Sequence, residues 1–268
     1  MRMLYGKELA DYIKVRQAQR VRVLTQSFGL IPKLAIITTI DNPIIDLYVR
    51  LKIQYAKDIG IQVDVHRVSQ QDAYRAIGEL NSDKLVHGII IQLPLEDKAQ
   101  TEELVNLVSP EKDVDALGEK AKFDPATPKA ILWLLAGFNI DLQNKKVVLV
   151  GRGKLVGRPL ERMLNDSGVD VSVADRTSKS IANMTLEADV IITATGSRSA
   201  ITTDMVKKGA IVVDAGVASE NGKTFGDVDD QLYERLDLTI TPKKGGVGPL
   251  TICALFDNVI IATERLSE

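Results

Sequence analysis

The chain has 268 residues, 45% hydrophobic and 26% charged, with a formal net charge of −2, which suits one large or two modest domains with a proper core. So near-neutral a balance gives no reason to expect nucleic acid or a membrane surface as partner. The single cysteine, Cys253, excludes an internal disulfide and any multi-cysteine metal site and fits a reducing cytoplasm. Two histidines, His66 and His87, are too few for most zinc catalysis, and no G-x-S-x-G elbow supports a serine hydrolase. No long apolar stretch follows Arg2 and Lys7, so neither signal peptide nor membrane span is expected.

Strands and helices alternate along the chain. Leu4 to Ser27 has helical apolar spacing, and Lys33–Thr39 reads as a strand. Pro43–Ile59 reads as a helix with Asn42 as N-cap and Pro43 as its first residue. A strand at Gln62–Val68, a helix over Gln70–Ser82, a strand at Gly88–Leu93 and a helix over Gln100–Leu107 complete a parallel α/β unit. Periodicity lapses from Ser109 to Ala126, where prolines and Gly118 mark a boundary. A helix containing Trp133 then leads into strands at Val147–Val150, Val171–Ala174, Val190–Thr195, Ala210–Asp214 and Leu238–Thr241. A last helix, Leu250 to Leu266, follows a glycine cluster, with Pro249 as its expected first residue. The expected domains are 1–118, with helix 250–268 packing back on it, and 119–249.

The strand Val147–Val150 runs into Gly151-Arg152-Gly153-Lys154-Leu155-Val156-Gly157, after which a helical pattern begins. Strand, glycine loop and helix N-terminus in that order suit a pyrophosphate, because glycine admits close backbone approach and the helix end offers unpaired N–H groups. The spacing is one residue longer than the usual fingerprint, and a plain tight turn is the alternative. The next strand ends in Asp175-Arg176, about where a ribose-reading residue is expected.

Tyr48 and Lys52, four apart on one helix, share a face; a surface lysine is the bland reading, and an ammonium held in a cleft with a lowered pKa the sharper one. Gln92 stands at the carboxyl end of an apolar strand, where open α/β sheets place ligands, though a capping amide would look the same. Asp113 and Asp115, two apart in extended chain, are expected to face one side. Gly245-Gly246-Val247-Gly248-Pro249 is either a glycine-rich turn or a backbone wall against a flat ligand.

Taken in order, Tyr-Val-x-x-Lys at 48–52, Gln-Leu-Pro-Leu at 92–95, Pro-Glu-Lys-Asp-Val-Asp at 110–115, Pro-x-Thr-Pro at 125–128, the Gly-Arg loop and Gly-Gly-Val-Gly-Pro-x-Thr at 245–251 resemble the bifunctional methylenetetrahydrofolate dehydrogenase/methenyltetrahydrofolate cyclohydrolase (FolD) family. The likeness runs from Tyr48 to Asn258. It implies an N-terminal α/β substrate domain, a Rossmann-type NAD(P)-binding domain, a cleft between them and a homodimer. It further implies Lys52 as catalytic lysine, Tyr48 lining the pterin, Gln92 bonded to the lysine and Asp115 anchoring the pterin, with Gly248 and Pro249 also touching substrate. On the cofactor side it implies Gly151, Arg152, Gly153 and Gly157 at the phosphates, Asp175 and Arg176 at the ribose, and Gly196 and Val217 along the cofactor.

The implied activity is oxidation of 5,10-methylenetetrahydrofolate followed by hydrolysis to 10-formyltetrahydrofolate, without metal. Two cations, Arg152 and Arg176, against one acid, Asp175, favour NADP over NAD. Departures from the family pattern are Ile45 for Ser, His87 for Asp, Ala116 for Gly, Ala126 for Cys, Gly153 for Ser, Lys243-Lys244 for Val-Pro and Ala218 for Asn. A shikimate-dehydrogenase-like oxidoreductase and a cofactor-binding homologue with impaired catalysis are the competing readings.

Overall fold

Local chemistry fixes the element ends near the site. Asn42 is extended, and its Oδ1 accepts from the amides of Ile44 (2.9 Å) and Ile45 (3.4 Å), with Pro43 in the first turn, so a helix starts there. It stops at Gly60, left-handed at φ 85°, whose amide closes on the last turn. Ser69 caps the following helix through the amide of Asp72.

The computed structural model describes residues 1–220 and 223–267. In chain order the elements are β1 (Arg2–Met3), α1 (Gly6–Phe28), β2 (Lys33–Thr38), α2 (Pro43–Ile59), β3 (Gln62–Arg67), α3 (Gln70–Ser82), β4 (Gly88–Ile91) and α4 (Thr101–Leu107). Then come α5 (Ala126–Gly137), β5 (Val147–Val150), α6 (Gly157–Asp166), β6 (Val171–Ala174), α7 (Ile181–Glu187), β7 (Val190–Thr193) and β8 (Ile211–Asp214). The chain ends with β9 (Ala218–Glu220), β10 (Lys223–Phe225), β11 (Thr239–Ile240) and α8 (Val247–Glu264). They form two compact units, one of Asp11–Ala126 with Ile252–Glu268, the other of Met1–Ala10 with Thr127–Thr251.

The first unit holds a parallel sheet in the order β3-β2-β4. β2 and β4 are unbroken apolar runs because both faces are covered: Leu34, Ile36, Ile37, Ile89 and Ile90 are fully buried. β3 alternates, with Asp64 and Arg67 at the open edge. At Asp113, which makes a parallel bridge to Ile89, the chain runs briefly beside β4. Lys112 holds that crossing by donating its ammonium to the carbonyls of Leu80, Asn81 and Asp83 (3.0, 2.9 and 2.6 Å) where α3 ends. The C-terminal part of α8 packs in this unit. Asn258 donates to the carbonyls of Val114 and Asp124, both at 2.8 Å, and Phe256 stacks on Tyr55.

The second unit holds a six-stranded parallel sheet in the order β1-β11-β8-β7-β5-β6. β6 lies on one side of β5 and β7 on the other, which makes the carboxyl edge between β5 and β7 the topological switch point. The first ten residues group with this unit rather than with the N-terminal domain, because β1 pairs with β11: Arg2 donates to Leu238 and Leu4 to Ile240, each at 2.9 Å.

Several expected boundaries move, and one helix is additional. α8 begins at Val247, so Pro249 is its third residue; a first-turn amide has no intrahelical partner, and proline loses nothing there. The strand expected over Leu238–Thr241 shrinks to two residues, and α7 is an additional helix started by Ser180, whose hydroxyl accepts from Asn183. Among the described residues α8 is the one helix long and apolar enough to cross a membrane by length and composition, but 61% of it is buried in the protein. Its apolar residues Leu250, Phe256, Val259 and Ile260 are fully buried core.

Candidate active site

Lys52 lies midway along α2, with Tyr48 one turn earlier on the same face and 39% exposed. The Lys52 ammonium donates to Gln92 Oε1 at 2.6 Å. Gln92 follows β4 directly. Its backbone amide donates to Ile37 O at 2.9 Å, and its side-chain amine donates to Leu93 O at 3.2 Å, which turns the oxygen toward the lysine. A neutral acceptor orients the ammonium without cancelling its charge. Burial therefore lowers the Lys52 pKa, opposed by the attraction of Asp115, and burial raises the Asp115 pKa, opposed by Lys52. Lys52, Gln92 and Asp115 thus converge at the carboxyl end of the three-stranded sheet.

The two acids of the 112–115 segment do not act alike. Asp113 is buried, and its carboxylate accepts from the amides of Gly118 (2.8 Å) and Leu117 (3.4 Å), closing the turn that follows Asp115. Burial nonetheless pushes the Asp113 pKa up to about 6. Within that turn Ala116 sits at φ 55°, a left-handed conformation that suits glycine better. His87 is structural: its Nδ1 accepts from the amide of Lys33 at 3.1 Å, and burial lowers its pKa. Cys253 is a buried thiol that accepts from the Tyr55 hydroxyl at 3.2 Å, and burial pushes its pKa up to about 11.

In the second unit, Gly151 ends β5 at φ 103°, where a Cβ would lie 2.6 Å from Ala194 O. At Gly157 a Cβ would lie 2.1 Å from Gly151 O, so the first turn of α6 closes against the loop only with glycine. Gly153, by contrast, faces open space and is not required by packing. No side chain caps α6; Pro159 has no N–H and the Arg158 amide donates to Gly153 O at 3.1 Å, so of the first-turn amides that of Gly157 is left at the switch point. This open cradle with a helix end fits a dinucleotide pyrophosphate.

Arg152 forms a two-pronged pair with Glu161 (2.9 and 3.0 Å). The Asp175 carboxylate is folded into its own turn, accepting from the amide and hydroxyl of Thr177 (2.8 and 2.6 Å). Arg176 and Val217 are exposed, as is Gly196 at φ 64°. Gly248 and Pro249 stand in the first turn of α8, Gly248 exposed with open space beside it. Two carboxylates escaped the sequence reading, Asp214 at the end of β8 and Asp227, fully buried, after β10. The signal that could have found them is the pairing of each with a nearby glycine, Gly216 and Gly226. Among the described residues no group of three or more His, Cys, Asp or Glu could hold a metal.

Residues 4–115 match the tetrahydrofolate dehydrogenase/cyclohydrolase catalytic domain and residues 125–267 the NAD(P)-binding domain of the same family. The chain belongs to the tetrahydrofolate dehydrogenase/cyclohydrolase family. A bifunctional protein FolD of Lactobacillus helveticus is 34% identical over 281 residues, covering 100% of this chain and 99% of the relative. The crystal structure of the bifunctional FolD enzyme of Campylobacter jejuni has a TM-score of 0.92 at 35% identity, covering 99% of each chain. That of Trypanosoma brucei FolD, complexed with NADP cofactor and inhibitor, has a TM-score of 0.92 at 26% identity, covering 99% of this chain and 98% of that one. The chain is therefore a bifunctional methylenetetrahydrofolate dehydrogenase/cyclohydrolase with a catalytic domain and an NAD(P)-binding domain, and the shikimate-type alternative falls away.

Proposed function

We propose that Lys52, oriented by Gln92 and biased by Asp115, is the proton carrier of this enzyme, with Tyr48 flanking the pterin and NADP as the cofactor. The observation that carries the reading is the 2.6 Å contact between Lys52 Nζ and Gln92 Oε1, made by an amine whose pKa burial lowers. Asp115 anchors the pterin by accepting its paired N–H groups, which fixes the one-carbon bridge near the lysine. Bound NADP supplies a hydride acceptor, so oxidation of the methylene bridge needs no metal.

In the cyclohydrolase step water adds to the methenyl carbon, and the neutral Lys52 amine takes one of its protons as the C–O bond forms. The resulting ammonium returns that proton to N5 as the C–N5 bond breaks. The second water proton leaves to solvent as the formyl carbonyl forms on N10, giving 10-formyltetrahydrofolate. A lysine of depressed pKa serves both directions, whereas one at its ordinary value would stay protonated near neutrality.

The cofactor side is read through Gly151, Arg152, Gly157 and Gly196, with Arg176 for the 2′-phosphate because Asp175 is already occupied by Thr177. The enzyme works in the cytoplasm as a homodimer on this reading. A spectroscopic assay following methenyltetrahydrofolate formation and decay tests it. Wild-type protein should do both with NADP, and Lys52→Met should abolish the decay; full-rate decay in that variant removes Lys52 from the mechanism.

A further inference from the structure

We propose that Asp227 and Asp214 are positioning residues that set the loops at the cofactor-holding edge of the six-stranded sheet, and thereby control NADP(H) binding and the dehydrogenase step but not the cyclohydrolase step. The inference rests on the dinucleotide reading of that edge given above. The two carboxylates form a relay across the carboxyl ends of β7 and β8. Asp227, fully buried, accepts from the Thr193 hydroxyl at 2.7 Å, the Thr195 amide at 2.5 Å and the Ser197 amide at 3.0 Å. Its own amide donates to Asp214 Oδ1 at 3.1 Å. Asp214 also accepts from the amides of Val228 (3.1 Å) and Gly216 (2.9 Å), and its amide donates to the Thr241 hydroxyl at 2.9 Å.

The backbone leaves room for nothing else. A Cβ on Gly216 would lie 2.0 Å from the Asp227 carboxyl, and one on Gly226 2.0 Å from Asp214 Oδ2. Burying a carboxylate is costly, but an apolar side chain in place of Asp227 would leave two backbone amides and a hydroxyl without this acceptor. What the carboxylate provides is fixed backbone direction. Thr195 and Ser197, held by Asp227, bracket Gly196, which stands exposed at φ 64°. Gly216, held by Asp214, precedes Val217, which is 62% exposed.

The first of these loops also forms the wall against which Gly151 packs, since Ala194 donates to Val150 at 2.9 Å and its carbonyl closes on the Gly151 position. Loops at this edge of a doubly wound sheet are the ones that hold a dinucleotide. Lys52, Gln92 and Asp115 belong to the other unit and share no hydrogen bond of the relay.

The test compares full-length wild type with Asp227→Asn, which keeps the shape but puts an amide N–H against a backbone N–H. NADPH titration followed by fluorescence should show at least a tenfold higher Kd in the variant. Its dehydrogenase kcat/KM should fall at least tenfold. Hydrolysis of methenyltetrahydrofolate, supplied directly without cofactor, should stay within twofold of wild type. Thr193→Val, which removes one donor and little shape, should move the same quantities in the same direction by less, and it is decisive if Asp227→Asn does not fold. Unchanged NADPH affinity in both variants, or dehydrogenase and cyclohydrolase rates falling in parallel, overturns the proposal. Wild-type protein that neither binds NADPH nor oxidises methylenetetrahydrofolate instead sinks the functional reading itself.

Discussion

Replacing Gln92 by Glu is the sharpest probe of the lysine. The side chain keeps its size, so the carboxylate takes the amide's place 2.6 Å from the ammonium. At that distance and an effective permittivity of about 20, the attraction is about 6 kcal/mol. Part is lost because Asp115 already acts on the same amine and because the new acid is itself desolvated. If only half survives, about 3 kcal/mol still opposes loss of the lysine proton, which equals a factor of about 100 in the neutral amine near pH 7. Cyclohydrolase turnover should therefore fall about 100-fold at neutral pH, and the pH of half-maximal rate should move up by about 2 units. The assay is the initial rate of methenyltetrahydrofolate decay across pH, corrected for the uncatalysed reaction. Profiles of wild type and Gln92→Glu that superimpose would refute the idea that a neutral acceptor keeps the lysine in working range.

The turn after Asp115 makes two further predictions. Ala116 adopts φ 55°, so Ala116→Gly should relieve about 1 kcal/mol and raise the melting temperature by about 2 to 4 °C; an unchanged or lower midpoint contradicts strain there. Asp113 has its pKa raised to about 6 from 3.8 by burial, so the folded chain holds that proton more tightly than the unfolded one. Stability from this group is present below about pH 4 and lost as pH rises through 6, by about 3 kcal/mol. Asp113→Asn cannot ionise, so in urea melts its stability relative to wild type should climb by that amount between pH 4 and 7, and a gap that does not vary with pH refutes the linkage.

The fold was legible where burial or capping leaves a local mark. β2, β4, β5 and β7 read as strands because sheets covered on both faces demand uninterrupted apolar runs, and Asn42-Pro43 announced α2 through chemistry confined to its own first turn. β1 was not legible as such, since two residues carry no period and it exists only through pairing with β11, more than 200 residues away. That same pairing moves the first ten residues into the second unit. α7, of seven residues like α4, was missed although Ser180 caps it.

Site residues divide along the same line. Spacing alone makes Lys52 a surface lysine on a helix that Arg50 and Gln54 mark as amphipathic. What distinguishes it is Gln92, forty residues on and brought to it by the carboxyl end of β4, so only the order of motifs could point to the pair from sequence. Asp113 and Asp115 show the limit of reading a segment as extended chain, because it is a turn here, with Asp113 accepting from Gly118 while Asp115 feels the charge of Lys52. Asp227 shows the opposite failure. An acid in a loop reads as solvated, yet the glycine at 216 closes so tightly on it that its carboxylate is fully buried with Thr193, Thr195 and Ser197 as donors. A glycine beside an acid at a strand's carboxyl end is thus a physical sign of a carboxylate turned inward, because only a residue without Cβ lets the backbone pass that close.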